Sequence, residues 1–103
     1  MRIMRTDDRD VAVLMFNRPE RLNAIDTAML AELNTHLDTI ESDASRALVI
    51  TGSPRAFCVG SDLKEKGADG ELRIRHMHAL IQRLRAFPKI GVAALSGYAL
   101  GGG

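Results

Sequence analysis

Ile90-Gly91-Val92-Ala93-Ala94-Leu95-Ser96-Gly97-Tyr98-Ala99-Leu100-Gly101-Gly102-Gly103 is the stretch on which the fold turns. Its first half is a short, nearly continuous apolar run, the pattern of a strand buried on both faces. Its second half opens into a glycine triplet, where backbone without side chains can come close to another group. A buried strand that ends in bare glycine needs elements on either side of it, and the rest of the chain is read outward from there.

Upstream, Pro88 stops a helix expected from about Glu71 to Phe87, with Met77, Leu80, Ile81, Leu84 and Phe87 on one stripe. Before it lies a glycine-punctuated loop through Gly67 and Gly70, and before that the irregular run Arg55 to Lys64. Ala47-Leu48-Val49-Ile50 is a second apolar strand, closed by Gly52-Ser53-Pro54. An earlier helix has Asp26 as its natural N-cap and Met29, Leu30, Leu33, Leu37 and Ile40 at helical spacing, over roughly four turns. Val11 to Phe16 is a further apolar strand, ended by Asn17-Arg18-Pro19, and a short strand around Arg2 to Arg5 pairs with it through an Asp-Asp-Arg-Asp turn. The order is ββαβ(loop)αβ. Apolar strands separated by helices imply right-handed crossovers and a largely parallel sheet, so the fold class is α/β.

Length and composition narrow the classes. With 103 residues the chain makes one small domain. A net charge of +1 gives no basic patch for nucleic acid, and no apolar run is long enough to span a membrane. The N-terminal residues Met1 to Asp8 carry acidic groups where a signal peptide needs an apolar core. A single cysteine, Cys58, excludes an internal disulfide and fits a reducing compartment, so the expected location is cytoplasmic.

Two segments leave strands at equivalent points of the two strand–helix repeats: Ala56 to Lys64 and Ser96 to Gly103. Ligands of open parallel sheets collect beyond the carboxyl ends of the strands. Each segment carries glycine, Gly60 in one and Gly101 to Gly103 in the other, and a pair of backbone amides from two loops is what stabilises an oxyanion. On the residues alone, the simpler reading is that these glycines make tight turns and close strand contacts. Gly97 to Gly103 has neither a dinucleotide fingerprint nor a phosphate-loop lysine. Ser96 lacks the flanking glycines of a nucleophile elbow and is read as a turn residue. Cys58 has no histidine near it in sequence and is read as a small buried residue. His76 and His78 stand two apart on one helix, so they face different ways and make no metal pair; with His36 they are read as surface or rim residues. Asp62 is read as an acceptor for loop amides. Arg73, Arg75, Arg83, Arg85 and Lys89 are read as a solvated helix face.

Three segments, taken in order and spacing, resemble the enoyl-CoA hydratase/isomerase (crotonase) family: Asn17-Arg18-Pro19-Glu20-Arg21-Leu22-Asn23-Ala24, Ala56-Phe57-Cys58-Val59-Gly60-Ser61-Asp62-Leu63-Lys64, and Ser96 to Gly103. The resemblance covers essentially the whole chain. It implies a crotonase-like spiral of ββα units, of which these residues would be the N-terminal part. It implies backbone N–H donors at Ser61 and Gly102 that hold the thioester oxygen of an acyl-CoA as it becomes an enolate. It also implies that Arg21, Leu22, Ala24, Asp62, Leu63 and Lys64 flank the coenzyme A, with Arg21 and Lys64 facing phosphate. The expected substrate is an acyl-CoA thioester and the expected reaction hydration of a 2-enoyl-CoA, with no metal and no cofactor other than the coenzyme A of the substrate. Isomerase, hydrolase and decarboxylase reactions, or a catalytically incomplete CoA-binding or assembly module, are the alternatives. In the family's hydratases two glutamates downstream of the glycine triplet move the protons, and helices that close the fold contribute to trimers or hexamers. Those glutamates and helices lie beyond Gly103, so the 103 residues alone are expected to be inactive.

Overall fold

Asp26 has the extended backbone of an N-cap, and its carboxylate Oδ1 accepts the Met29 N–H at 2.8 Å, which starts α1 (Thr27–Ser42) where the sequence places it. The computed structural model describes residues 2–53, 56–58, 60, 70–95 and 98–99. Met29, Leu30, Leu33, Leu37 and Ile40 are buried along one face of α1, each contributing about 1.5–3 kcal/mol by leaving water.

β1 (Ile3–Asp8) and β2 (Val11–Phe16) form an antiparallel hairpin. It is tighter than expected: Asp7 and Asp8 belong to the strand, and only Arg9 and Asp10 turn the chain. Arg9 takes a left-handed φ of 56°, which a two-residue hairpin loop requires to match the twist of its strands.

From β2 the sheet grows in parallel. β3 (Ala47–Thr51) pairs with β2, Val11 beside Ala47 and Met15 beside Thr51. β5 (Ile90–Ala94) pairs with β3, Ala47 beside Ile90 and Thr51 beside Ala94. The order is β1-β2-β3-β5, with α1 and α2 (Gly70–Arg85) as the crossovers.

Two short strands were hidden in segments the sequence presents as irregular: β4 (Ala56–Cys58) and β6 (Tyr98–Ala99), which form a separate two-stranded parallel sheet. Their pairing partners lie some forty residues apart in the chain, so no local pattern announces them. Ala56, Phe57 and Cys58 are all buried, and the Phe57 ring meets Phe16 edge-to-face at 5.5 Å.

The strands are not buried on both faces, as their apolar runs suggest. In β2, Ala12, Leu14 and Phe16 point into the core while Val11, Val13 and Met15 are half-buried. β5 is exposed along its whole length, with Ile90 at 71% and Val92 at 51%. Among the described residues it has one strand neighbour, β3.

Two of the residues expected on a solvated basic face, Arg83 on α2 and Lys89 after it, are instead bonded to α1 and the residue that caps it. Arg83 donates to Asp38 Oδ1 at 2.7 Å and Glu41 Oε2 at 3.2 Å, and its other nitrogen to Asn34 Oδ1 at 3.1 Å. It therefore clamps α2 onto α1. Lys89 donates to the carbonyls of Ile40 and Asp43, which α1 leaves without helical partners at its C-terminal end. Arg75 and Arg85 remain exposed.

Candidate functional site

Between β2 and α1 the chain must turn without regular structure, and Pro19 begins that turn as a single 3-10 turn, Pro19–Arg21. Leu22 and Asn23 follow, both with left-handed φ, 51° and 57°. Such backbone is uncommon for non-glycine residues and persists where surrounding contacts fix it; asparagine tolerates it best.

The contacts that fix it are several. The Arg18 carbonyl accepts from the Arg21 and Asn23 amides, at 3.1 and 2.9 Å. Asn23 is fully buried, and both ends of its side-chain amide are used: Oδ1 accepts the Arg18 N–H at 2.8 Å, and Nδ2 donates to the Ala56 carbonyl at 2.9 Å. The Arg18 guanidinium donates to the Ala24 carbonyl at 2.9 Å and lies 3.5 Å from Asp26 Oδ2. Arg2 reaches the same carboxylate oxygen at 3.3 Å. The loop is thus tied at one end to the α1 cap and in its middle to β4.

A further bond ties the loop beyond β4. The Ile25 N–H donates to the Gly60 carbonyl at 2.7 Å. Gly60 is buried with φ 96°, and its own N–H meets Cys58 Sγ at 3.4 Å. A side chain at Gly60 would be strained by that φ alone. Burial pushes the Cys58 thiol up, with the Gly60 N–H pulling less strongly the other way. A buried thiol held in its neutral form is no nucleophile, in line with its reading as a packing residue.

The second segment arrives beside the first through β4 and β6. Ala56 pairs with Tyr98 and Cys58 with Ala99, with a register shift between the two pairs. The two strands run parallel.

The expected site residues divide accordingly. Arg21, Leu22 and Ala24 lie on the loop just described, Arg21 exposed, Leu22 half-buried and Ala24 buried. The Ala24 carbonyl already accepts one bond, from the Arg18 guanidinium, on one of its two lone pairs. Ser61, Asp62, Leu63, Lys64, Gly102 and Ser96 lie outside the described residues. His76 and His78 are exposed on α2, and no cluster of metal-ligating side chains occurs among the described residues. An apolar cavity of about 310 Å³ lies between the sheet and α2, lined in part by Phe16, Ile25, Ile50, Phe57, Leu80 and Leu84. Among the described residues Arg85 is its only charged lining residue, and the rest of that lining is apolar.

The sequence reading missed Asn23 and the Ile25 amide. A buried asparagine among Leu22, Ala24 and Ile25 was the available signal, since an amide in apolar company must find partners for its donors and its acceptor. No side-chain pattern reports the Ile25 bond, which is made by backbone.

The family model described as enoyl-CoA hydratase/isomerase matches residues 6–103. A probable enoyl-CoA hydratase of Bacillus subtilis is 41% identical over 93% of this chain, and a 1,2-epoxyphenylacetyl-CoA isomerase of Escherichia coli 36% identical over 93%. The crystal structure of an enoyl-CoA hydratase from Bacillus anthracis superposes on the whole chain with a TM-score of 0.89 at 31% identity. The chain spans 39% and 40% of the two curated relatives and 43% of that solved chain. No helix among the described residues is long and apolar enough to cross a membrane. In fold and in sequence alike, the chain belongs to the enoyl-CoA hydratase/isomerase family, with its crotonase fold.

Proposed function

We propose that this chain supplies the oxyanion-binding part of an acyl-CoA-processing site, with the Ser61 and Gly102 N–H groups as the two donors. The supporting observation is the register of β4 and β6. Cys58 lies beside Ala99 in this parallel pair, and Ser61 and Gly102 each follow three residues later in the sequence. Two backbone amides brought to one place in this way are fixed before the reaction. They stabilise negative charge on a thioester oxygen without any side chain having to turn, and the loss of one typically costs about 10² to 10³ in rate.

Coenzyme A lies along the Asn17–Ile25 loop, with Arg21, Leu22 and Ala24 on one side and Asp62, Leu63 and Lys64 on the other. The exposed guanidinium of Arg21 and the ammonium of Lys64 meet its phosphates. The reaction of the whole protein is hydration of a 2-enoyl-CoA, with acid–base groups contributed by the region that its relatives carry beyond these residues. The substrate brings its own coenzyme A and no other cofactor takes part. Similarity to an isomerase nearly as high as to a hydratase favours a second reading, in which the same thioester enolate is reprotonated elsewhere instead of arising by addition of water.

Two measurements test this. Calorimetry of the 103-residue chain with acetyl-CoA is expected to give binding without turnover. The protein extended through the region its relatives share is expected to consume a short 2-enoyl-CoA, followed by loss of the conjugated thioester absorbance. An extended, folded protein inactive on every acyl-CoA thioester offered would sink the proposal.

A further inference from the structure

We infer that the Asn17–Ile25 loop is a positioning device for the oxyanion hole. The Ile25 N–H, held in place by Asn23, orients the peptide group whose other end is the Ser61 donor. This rests on the oxyanion role proposed above for Ser61 and adds to it the group that aims the donor.

The argument begins with the peptide bond. The Gly60 carbonyl and the Ser61 nitrogen belong to one planar unit, in which C=O and N–H point in opposite directions across a trans bond. Whatever holds the carbonyl therefore sets the direction of the N–H. The Ile25 N–H holds it at 2.7 Å. Gly60 has φ 96°, backbone space open chiefly to glycine, so this position carries no side chain that could help to fix the plane. A carbonyl that accepts a hydrogen bond also polarises its own peptide, which strengthens the N–H as a donor.

The tether is itself anchored. Ile25 is buried in the core, and two residues before it Asn23 bridges the Arg18 amide and the Ala56 carbonyl. Ala56 begins β4, the strand that leads to Gly60. Asn23 and Ile25 thus grip the donor segment at both ends, Ala56 and Gly60, from one rigid loop. The same loop carries Arg21, Leu22 and Ala24, so a CoA bound along it rests on the element that aims the donor. Asn23 and Ile25 touch no reacting atom in this arrangement and are positioning residues.

The test uses the protein extended through the shared region, with single backbone amides replaced by esters. Replacing Ile25 with its α-hydroxy acid removes one N–H and keeps the side chain. The expected result is a fall in kcat of about tenfold, less than for outright loss of an oxyanion donor, with KM for the enoyl-CoA changed less than about twofold. A cinnamoyl-CoA-type chromophore bound to the variant is expected to show a smaller red shift, because its carbonyl is less polarised. Asn23→Gly removes the side-chain bridges while leaving the left-handed backbone accessible, and is expected to move kcat and the red shift in the same direction. The corresponding ester at Ser61 separates the two claims. If it leaves kcat unchanged, the oxyanion role fails and this inference fails with it. If it abolishes most of kcat while the Ile25 ester and Asn23→Gly lower only the melting temperature, with kcat and red shift intact, the positioning role alone is overturned.

Discussion

Gly52 illustrates how far a single residue governs this site. A Cβ at this position would lie 2.6 Å from the Ala56 and Phe57 carbonyl oxygens and 2.7 Å from Phe57 Cα, all backbone atoms of β4. None of these can swing away as a side chain would. The chain passes from β3 to β4 through this contact, and the Ser53 N–H bond to the Ala56 carbonyl at 3.0 Å closes the turn. Gly52→Ala is expected to destabilise the chain by about 3 kcal/mol, at the upper end of overpacking costs, and to displace β4. Gly91→Ala is the matched control. Nothing lies within 4 Å of its Cβ, so the change is expected to stay within about 0.5 kcal/mol. Urea titrations of the two variants would read the difference directly, and equal midpoints would show that β4 yields to the added methyl group.

At the scale of the element, the end of α1 is fastened from several sides at once. Asp43 caps the helix and receives Arg5 at 2.8 Å on Oδ2 and the Ser45 N–H at 2.8 Å on Oδ1, with Lys89 Nζ 3.5 Å away. Strand β1, helix α1 and the entry to β5 meet on one carboxylate. The Arg5 bond, then the bonds from Ser45, hold that carboxyl well below its ordinary value near 3.8. A carboxyl held low in the folded state binds its proton more readily when unfolded, so its contribution is fully present above about pH 4 and is lost as pH falls further. Asp43→Asn is expected to flatten the acid side of the stability profile below pH 4, measured as thermal midpoint against pH, while its cost is greatest near neutrality. An unchanged acid limb would assign acid sensitivity to other carboxylates. These elements were legible in the sequence to different depths. α1, with its Asp26 cap and its stripe from Met29 to Ile40, could be read because both signals are local. β2, β3 and β5 could be read as strands, but not their exposure, since burial depends on which layer the rest of the fold lays over them. β4 and β6 could not be read at all: three residues and two residues become strands only by finding each other across the chain. The same holds for the site. The three motif segments were visible, whereas the bond to Gly60 from Ile25, the residue after the first of them, is made by backbone and leaves no side-chain trace.

For the whole molecule, the sheet is the feature with the largest physical consequence. One face carries Ala12, Leu14, Phe16 and Leu48 against the helices. By the register of the strands, the opposite face carries Val11, Val13 and Met15 on β2, Ala47, Val49 and Thr51 on β3, and Ile90, Val92 and Ala94 on β5. Apart from Thr51, that face is apolar from its centre to the β5 edge, where exposure is highest. Among the described residues, β5 also has backbone groups on its outer side that pair with no other strand. Natural edge strands are usually blunted by a charge or a proline, and neither interrupts Ile90 to Ala94. An open edge beside an uncovered apolar face is a template for another strand. The 103-residue chain is therefore expected to associate as its concentration rises and to bind a dye specific for apolar surface. Val92→Lys places a charge at the middle of the exposed β5 face, where Val92 is 51% accessible, so the substitution costs little packing. It is expected to shift the association to at least several-fold higher concentration in sedimentation velocity while leaving the circular dichroism unchanged. If Val92→Lys associates as the parent chain does, the β5 face is not the contact, and the groove between α1 and α2 lined by Leu30, His76 and Ala79 becomes the next surface to charge.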